Sequence, residues 1–285
     1  MTVVVADLGA SNARFAIYEK GKMSDVYQFA CDDFKTATAL IESFVAVYAP
    51  SATYLLAGVP GAVHDNQVKW TNRSWSLDGA KLKKKLHLKQ VVLMNDLAVQ
   101  GFALPALKKK DLLFLQQNKS GPGPKVLVNV GTGLGASLIF DDIVYPAEYG
   151  QTLVKFDTLE HEISGPGFKR LYQKNKKTKK AISAVKIAQD YFRGDRAAQE
   201  TYKTFYEKLG RALANLALTV MATGGVYICG GILDEKTLKE IHMARFFSNH
   251  PRMNHVLKQM PLIYIKRKDF AFLGLKRLVK KFGWS

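Results

Sequence analysis

Twice in this chain an apolar strand runs into a glycine-bearing turn and returns at once as a second strand. The first instance joins the buried-strand pattern Thr2-Val3-Val4-Val5-Ala6-Asp7 to the alternating run Arg14-Phe15-Ala16-Ile17-Tyr18. Between them lies Leu8-Gly9-Ala10-Ser11-Asn12. The second instance runs from Lys125 to Val130, through Gly131-Thr132-Gly133-Leu134-Gly135, and out again to Phe140. Helical periodicity follows each pair. Ala39, Leu40, Phe44 and Val47 recur at helical spacing between Thr36 and Tyr48, and a helix-rich stretch extends from about Pro166 to Ala222. Mixed sheets with helices after them predict an α/β fold with two similar lobes. The repetition is architectural, since no residue-by-residue repeat accompanies it.

The remaining pattern fits that frame. Tyr27–Ala30 reads as a third strand, and Tyr54–Gly58 as a short one ending in Val59-Pro60-Gly61. Asp78 to Leu88 reads as helix. Val91–Met94 is a strongly apolar strand ending at Asn95-Asp96, where a helix is expected to start and run to about Leu107, bent by Pro105. Ser120-Gly121-Pro122-Gly123-Pro124 is a loop. Val226–Cys229 is a strand leading into Gly230-Gly231, Pro261–Ile265 a late strand, and a basic helix from about Phe272 to Lys281 closes the chain.

At 285 residues the chain is long enough for two apolar cores. Its two cysteines, Cys31 and Cys229, lie far apart and lack metal-ligand spacing, which points to a reducing compartment and away from a disulfide framework. The apolar run at the N-terminus is too short for a signal peptide and has no basic leader. No segment approaches the ~20 apolar residues of a membrane span, so a cytoplasmic protein is expected. Lys and Arg total 42 against 24 Asp and Glu, a net charge of +18. Such an excess attracts polyanions, but charge alone specifies no contact geometry. Without zinc-finger spacing or an aromatic RNA-binding signature, the lysine runs read as solvated faces rather than a dedicated nucleic-acid site.

Three groups of residues carry possible chemistry. Turns such as Asp7 to Asn12 and Gly131 to Gly135 aim backbone N–H groups at phosphate oxygens, and small residues let a ligand approach closely. Asp7 offers a carboxylate suited to Mg²⁺, directly or through water. Read alone, either turn is more simply an ordinary hairpin, and neither matches the Walker pattern. Asp96 ends an apolar strand, where α/β folds expose functional residues. It reads either as the cap of the following helix or as a base that accepts a hydroxyl proton, and the two roles are compatible. Glu148 and Glu160 flank Gly150-Gln151, a cluster whose carboxylates and amide suit a polyol, or else a solvated surface.

In order, and over nearly the whole chain, these residues resemble the bacterial-type glucokinase family. The resemblance rests on Asp7-Leu8-Gly9-Ala10-Ser11-Asn12-Ala13-Arg14, Thr71-Asn72-Arg73-Ser74-Trp75, Asn95-Asp96, Gly131-Thr132-Gly133-Leu134-Gly135, Ser164-Gly165-Pro166-Gly167 and Gly230-Gly231-Ile232. It implies an actin-like (ribonuclease H-like) two-lobed sugar kinase fold with a central ligand cleft. The small lobe would comprise residues 1–109 plus about 266–285, and the large lobe 110–265. The implied reaction is transfer of phosphate from MgATP to a hexose, glucose giving glucose 6-phosphate, with Asp96 as general base. Asn95, Asp96, Glu148, Gln151 and Glu160 would bind the sugar. Asp7, Gly9, Ala10, Ser11, Asn12, Gly131, Thr132, Gly133, Gly230 and Gly231 would surround the nucleotide, with Asp7 toward Mg²⁺. A homodimer is also implied. The alternatives are a kinase for another hexose and a sugar- or nucleotide-binding regulator that has lost turnover.

Three departures from the family pattern stand out. Ala10-Ser11 replaces the usual Gly-Thr, so a methyl group is expected to crowd a phosphate or to exclude positive φ. Glu148-Tyr149-Gly150-Gln151 stands where the family has Glu-Gly-Gly-His, and glutamine hydrogen-bonds but does not titrate. Asp269–Gly274 lacks the family's Pro-Gly.

Overall fold

The computed structural model describes every residue except 71, 72, 118, 120, 156 and 285. Thr71 and Asn72 of the motif above, and Ser120 of the predicted loop, therefore lie outside the described residues. The chain packs as two compact units, Met1–Leu107 with Asp269–Ser285, and Lys108–Lys268.

The first unit opens with strands β1 (Thr2–Leu8), β2 (Asn12–Glu19), β3 (Lys22–Met23) and β4 (Tyr27–Ala30), then helix α1 (Ala37–Tyr48). There follow β5 (Tyr54–Val59), the hairpin β6 (Gln67–Lys69) and β7 (Ser76–Asp78), helix α2 (Gly79–Lys85), β8 (Gln90–Asn95) and α3 (Asp96–Ala103). Its sheet has the order β3-β2-β1-β5-β8, with β4 also on β2. β1, β5 and β8 are parallel neighbours, while β1 and β2 form the antiparallel pair around the first turn.

The apolar character of β1 follows from its place at the centre. Val4, Ala6 and Leu8 share a core with Leu40, Ile41 and Phe44 of α1, whereas Val3 and Val5 pack with Val99 of α3 on the other face. Both faces are covered, so alternation is lost and nearly every side chain is apolar. Phe15 stacks on Phe44 at 4.5 Å between ring centres, coupling β2 to α1. Each such side chain contributes about 1.5–3 kcal/mol by burial.

The second unit contains β9 (Leu112–Gln116), β10 (Lys125–Val130), β11 (Leu134–Phe140), β12 (Ile143–Ala147) and the small hairpin β13 (Leu153–Val154) and β14 (Asp157–Thr158). Helices α4 (Leu159–Glu162), α5 (Gly165–Lys176), α6 (Ala184–Phe192) and α7 (Arg196–Val220) come next. They are followed by β15 (Gly225–Cys229), α8 (Glu235–Glu240), α9 (Met243–Phe247), α10 (Asn254–Leu257) and β16 (Leu262–Ile265). The sheet order is β12-β11-β10-β15-β16-β9. Phe168, Tyr202, Phe205 and Tyr206 pack α5 and α7 into its core. The chain then returns to the first unit as α11 (Ala271–Lys281), whose Phe272 and Leu275 join the cluster of Val3 and Val5. Among the described residues no helix is long and apolar enough to cross a membrane.

Several local expectations need correction. The helix after Asn95 ends at Ala103, and Pro105 lies in a separate 3₁₀ turn, Leu104–Ala106. Proline supplies no N–H for a continuing helix, so the chain tightens there instead of bending. The predicted helix over 78–88 is shorter, because Asp78 caps it and Leu86 closes it. Strands β9 and β12 have no counterpart in the sequence reading. Both are edge strands, and Pro146 within β12 gives the signal of a loop although an edge tolerates it.

Candidate active-site residues in each unit

In the first unit, Asp7 and Asn95 stand at the C-terminal ends of parallel strands separated only by β5. The register runs Asp7 to Gly58 and Gly58 to Met94, so two strand spacings, about 9–10 Å, lie between β1 and β8. Gly58 allows the helix after β8 to sit close: a Cβ there would lie 3.3 Å from Val99 Cγ2 and 3.6 Å from Asp96 Cα.

The helix cap is Asn95, not Asp96. Asn95 Oδ1 accepts from the N–H groups of Leu97 (2.9 Å) and Ala98 (3.1 Å), and its Nδ2 donates to Gly61 O at 3.1 Å. Asp96 is therefore the first helical residue. It is half-buried, and its Oδ1 accepts from Leu97 N at 2.9 Å. A carboxylate in the first turn is stabilised by the helix dipole without being consumed as the cap.

The Gly9–Asn12 turn is closed by Gly9 N–H donating to Asn12 O at 2.9 Å. Its outward groups follow from where its carbonyls are held. Cys31 Sγ donates to Gly9 O at 3.5 Å, Arg73 Nη1 to Ala10 O at 2.8 Å, and Cys31 N to Ser11 O at 2.9 Å. In a trans peptide the carbonyl and the next N–H point opposite ways. The N–H groups of Ala10 and Ser11 thus face away from Cys31 and Arg73, as an anion-binding nest requires. Burial and nearby Asp32 raise the Cys31 thiol above its ordinary pKa, partly opposed by Arg73, so this contact is made by a neutral donor.

Ala10 is not among the residues with positive φ, which removes one of the two objections to a side chain at that position. Ala10→Gly is accordingly expected to lower stability by about 0.4–1 kcal/mol through unfolded-chain entropy. Urea unfolding of the two proteins measures this.

Asp7 is buried, and Arg14, its antiparallel partner across the β1–β2 pair, forms an ion pair with its Oδ2. The described residues contain no cluster of three metal-ligating side chains. Mg²⁺ usually needs only one or two carboxylates beside phosphates and water, so a lone Asp7 paired to an arginine fits a water-mediated role.

The second unit repeats the device. Gly131 N–H donates to Gly133 O at 2.9 Å, and Gly131 O accepts from Gly165 N at 2.8 Å, which directs the Thr132 N–H away from α5. Ser-Gly-Pro-Gly is the back support of this turn. Ser164 caps α5 by accepting from Gly167 N at 3.2 Å, and Pro166 occupies its first turn. A Cβ on Gly165 would meet Ile232 Cδ1 at 2.9 Å and Gly131 O at 3.2 Å. Thr132 itself is exposed.

Around the start of β11 lie Glu160 and the turn that carries Gln151. Glu160 Oε2 accepts from Leu134 N at 2.8 Å, and the 3₁₀ turn Tyr149–Gln151 packs on the same residue. There Gly150 lies so close that a Cβ would be 2.1 Å from Leu134 O. Tyr149 OH anchors the turn by donating to Ala212 O at 2.7 Å, and burial pushes its pKa up to about 12. Glu148 and Gln151 are exposed, while Glu160 is half-buried. Of the glycine pair after β15, Gly230 has φ +126° and abuts Val130, whereas Gly231 faces open space.

No role for Gly58, Gly61 or Arg14 follows from the sequence, although a glycine at each end of Gly58-Val59-Pro60-Gly61 is a signal of close approach. Arg73 was visible only as part of a motif.

The glucokinase family model matches residues 4–152 and 151–282. A glucokinase of Nitrobacter hamburgensis is 28% identical over 308 residues, covering 96% of each protein. The structure of glucokinase from an Antarctic psychrotroph superposes with a TM-score of 0.80 at 23% identity, covering 98% of this chain and 99% of that one. A ROK family glucokinase from Streptomyces griseus, in complex with glucose and AMPPNP, gives 0.74 at 16% identity, with 99% and 100% covered. The fold is the actin-like α/β fold of these sugar kinases.

Proposed function

The chain belongs to the glucokinase family and is a hexose kinase, and from that premise we propose that it phosphorylates glucose at its 6-hydroxyl, using ATP and Asp96 as general base. What supports this most is one end of the first sheet, where the Asp96 carboxylate and the outward N–H groups of the Gly9–Asn12 turn stand two strands apart. Asp96 accepts the hydroxyl proton while the sugar oxygen attacks the γ-phosphorus and the bond to ADP breaks. Backbone N–H groups of Ala10, Ser11 and Thr132 stabilise charge on the phosphates. Magnesium, when bound, neutralises phosphate charge, and Asp7 would hold it through water. Asn95, Asp96, Glu148, Gln151 and Glu160 are the proposed sugar ligands.

A coupled ADP-release assay over glucose, mannose and glucosamine with MgATP tests the reading. Turnover fastest with glucose supports it, turnover fastest with another sugar replaces the substrate, and ADP release from none overturns it. Gln151→His provides a second check. Histidine has an ordinary pKa of about 6.5, so the variant's KM for glucose should acquire a titration near there. The parent, with an amide at this position, should lack that titration in parallel KM measurements from pH 5.5 to 8.

A further inference from the structure

We propose that Arg73 is a positioning residue for the phosphate turn, setting the direction of its N–H groups from behind. The inference rests on the reading of Gly9–Asn12 as a phosphate cradle and assigns the part that orients it.

Arg73 is 63 residues from Ala10 in sequence, yet its Nη1 donates to Ala10 O at 2.8 Å. Its Nη2 donates to Asp32 Oδ1 at 2.6 Å. Its guanidinium also lies 4.3 Å from the centre of the Trp75 ring. Trp75 is itself fixed, being buried and donating through Nε1 to Lys35 O at 2.9 Å. The guanidinium plane is therefore set by three separate contacts, and Nη1 and Nη2 each serve a protein acceptor. That arrangement makes Arg73 a brace rather than a ligand for phosphate. Asp32 partly offsets its charge, and its hydrogen bond to Ala10 O acts on the turn through geometry.

The geometric consequence follows from the peptide plane. Holding Ala10 O toward Arg73 turns the Ser11 N–H to the opposite side. Cys31 holds the flanking carbonyls of Gly9 and Ser11, but nothing else among the described contacts holds that of Ala10. Loss of Arg73 lets this one peptide rotate, and the nest loses the Ser11 N–H as a donor. Lysine does not replace it, because an ammonium neither forms the two-pronged contact nor stacks as a plane on Trp75.

Arg73→Ala and Arg73→Lys test this together. For both, KM for ATP should rise roughly tenfold to hundredfold, as expected for a small displacement of a positioning group. Glucose affinity by calorimetry should stay within about twofold, since none of the described contacts of Arg73 involves a proposed sugar ligand. In the protein without nucleotide, hydrogen exchange should quicken at the Gly9 and Cys31 amides, whose bonds close and back the turn. Unchanged KM for ATP in folded Arg73→Ala would overturn the proposal. So would equal weakening of glucose and ATP with a lowered melting temperature, or full rescue by lysine. If the parent neither binds ATP nor turns over, the kinase reading fails instead, and exchange at Gly9 and Cys31 still decides whether Arg73 holds the turn.

Discussion

Asp96→Asn is expected to lower kcat by roughly 10²–10⁴-fold while leaving the fold and glucose binding in place. The amide has nearly the size and shape of the carboxylate, and its oxygen can still accept from Leu97 N, as Asp96 Oδ1 does at 2.9 Å. The helix keeps its cap, because that role belongs to Asn95. What the variant loses is the capacity to take up a proton from the sugar hydroxyl. Steady-state kinetics together with glucose calorimetry separate the two effects. A variant that phosphorylates at near-parental rate would remove Asp96 from the mechanism. One that fails to bind glucose would make it mainly a sugar ligand.

Gly230→Ala carries the largest expected effect on stability. Its φ of +126° lies where L side chains are strained, and a Cβ would meet Val130 O at 2.0 Å and Val130 N at 2.7 Å. Backbone strain costs about 1–3 kcal/mol and overpacking a further 1–3. A total of about 3 kcal/mol or more corresponds to a fall of roughly 6–12 °C in the melting temperature for a unit of this size. Val130 leads directly into Gly131, so displacement there should also raise KM for ATP. Gly231→Ala is the control: nothing lies within 4 Å of its Cβ position, and stability should change by no more than about 0.5 kcal/mol. Calorimetry on the two variants is sufficient, and equal melting temperatures would contradict the packing of β15 on β10.

Much of the candidate site is legible in the sequence because it is built from local backbone requirements. Small residues at Gly9, Gly131 and Gly133, and a Ser-Gly-Pro-Gly helix start, advertise turns and caps within a few residues of themselves. The strands β1, β10 and β15 announce their central positions by consecutive apolar residues, Val3–Ala6, Val126–Val128 and Val226–Cys229. The choice between Asn95 and Asp96 as cap is not legible. Either side chain suits the role, and the outcome depends on β8 extending through Asn95 before the helix begins. Glu160 likewise reads as a surface acid or a sugar ligand, and only packing shows one of its oxygens holding Leu134 N. The objection that Ala10 excludes positive φ fails for the same reason, since the turn closes without it.

The two glycine turns between strand pairs were determined by the sequence alone, through apolar periodicity and the residues that a tight turn admits. Which way their N–H groups point was decided by tertiary structure. A peptide can rotate unless its carbonyl is held, and the groups that hold these carbonyls, Arg73, Cys31 and Gly165, lie far along the chain. Direction is a property of distant partners, whereas the turn is a property of its own residues.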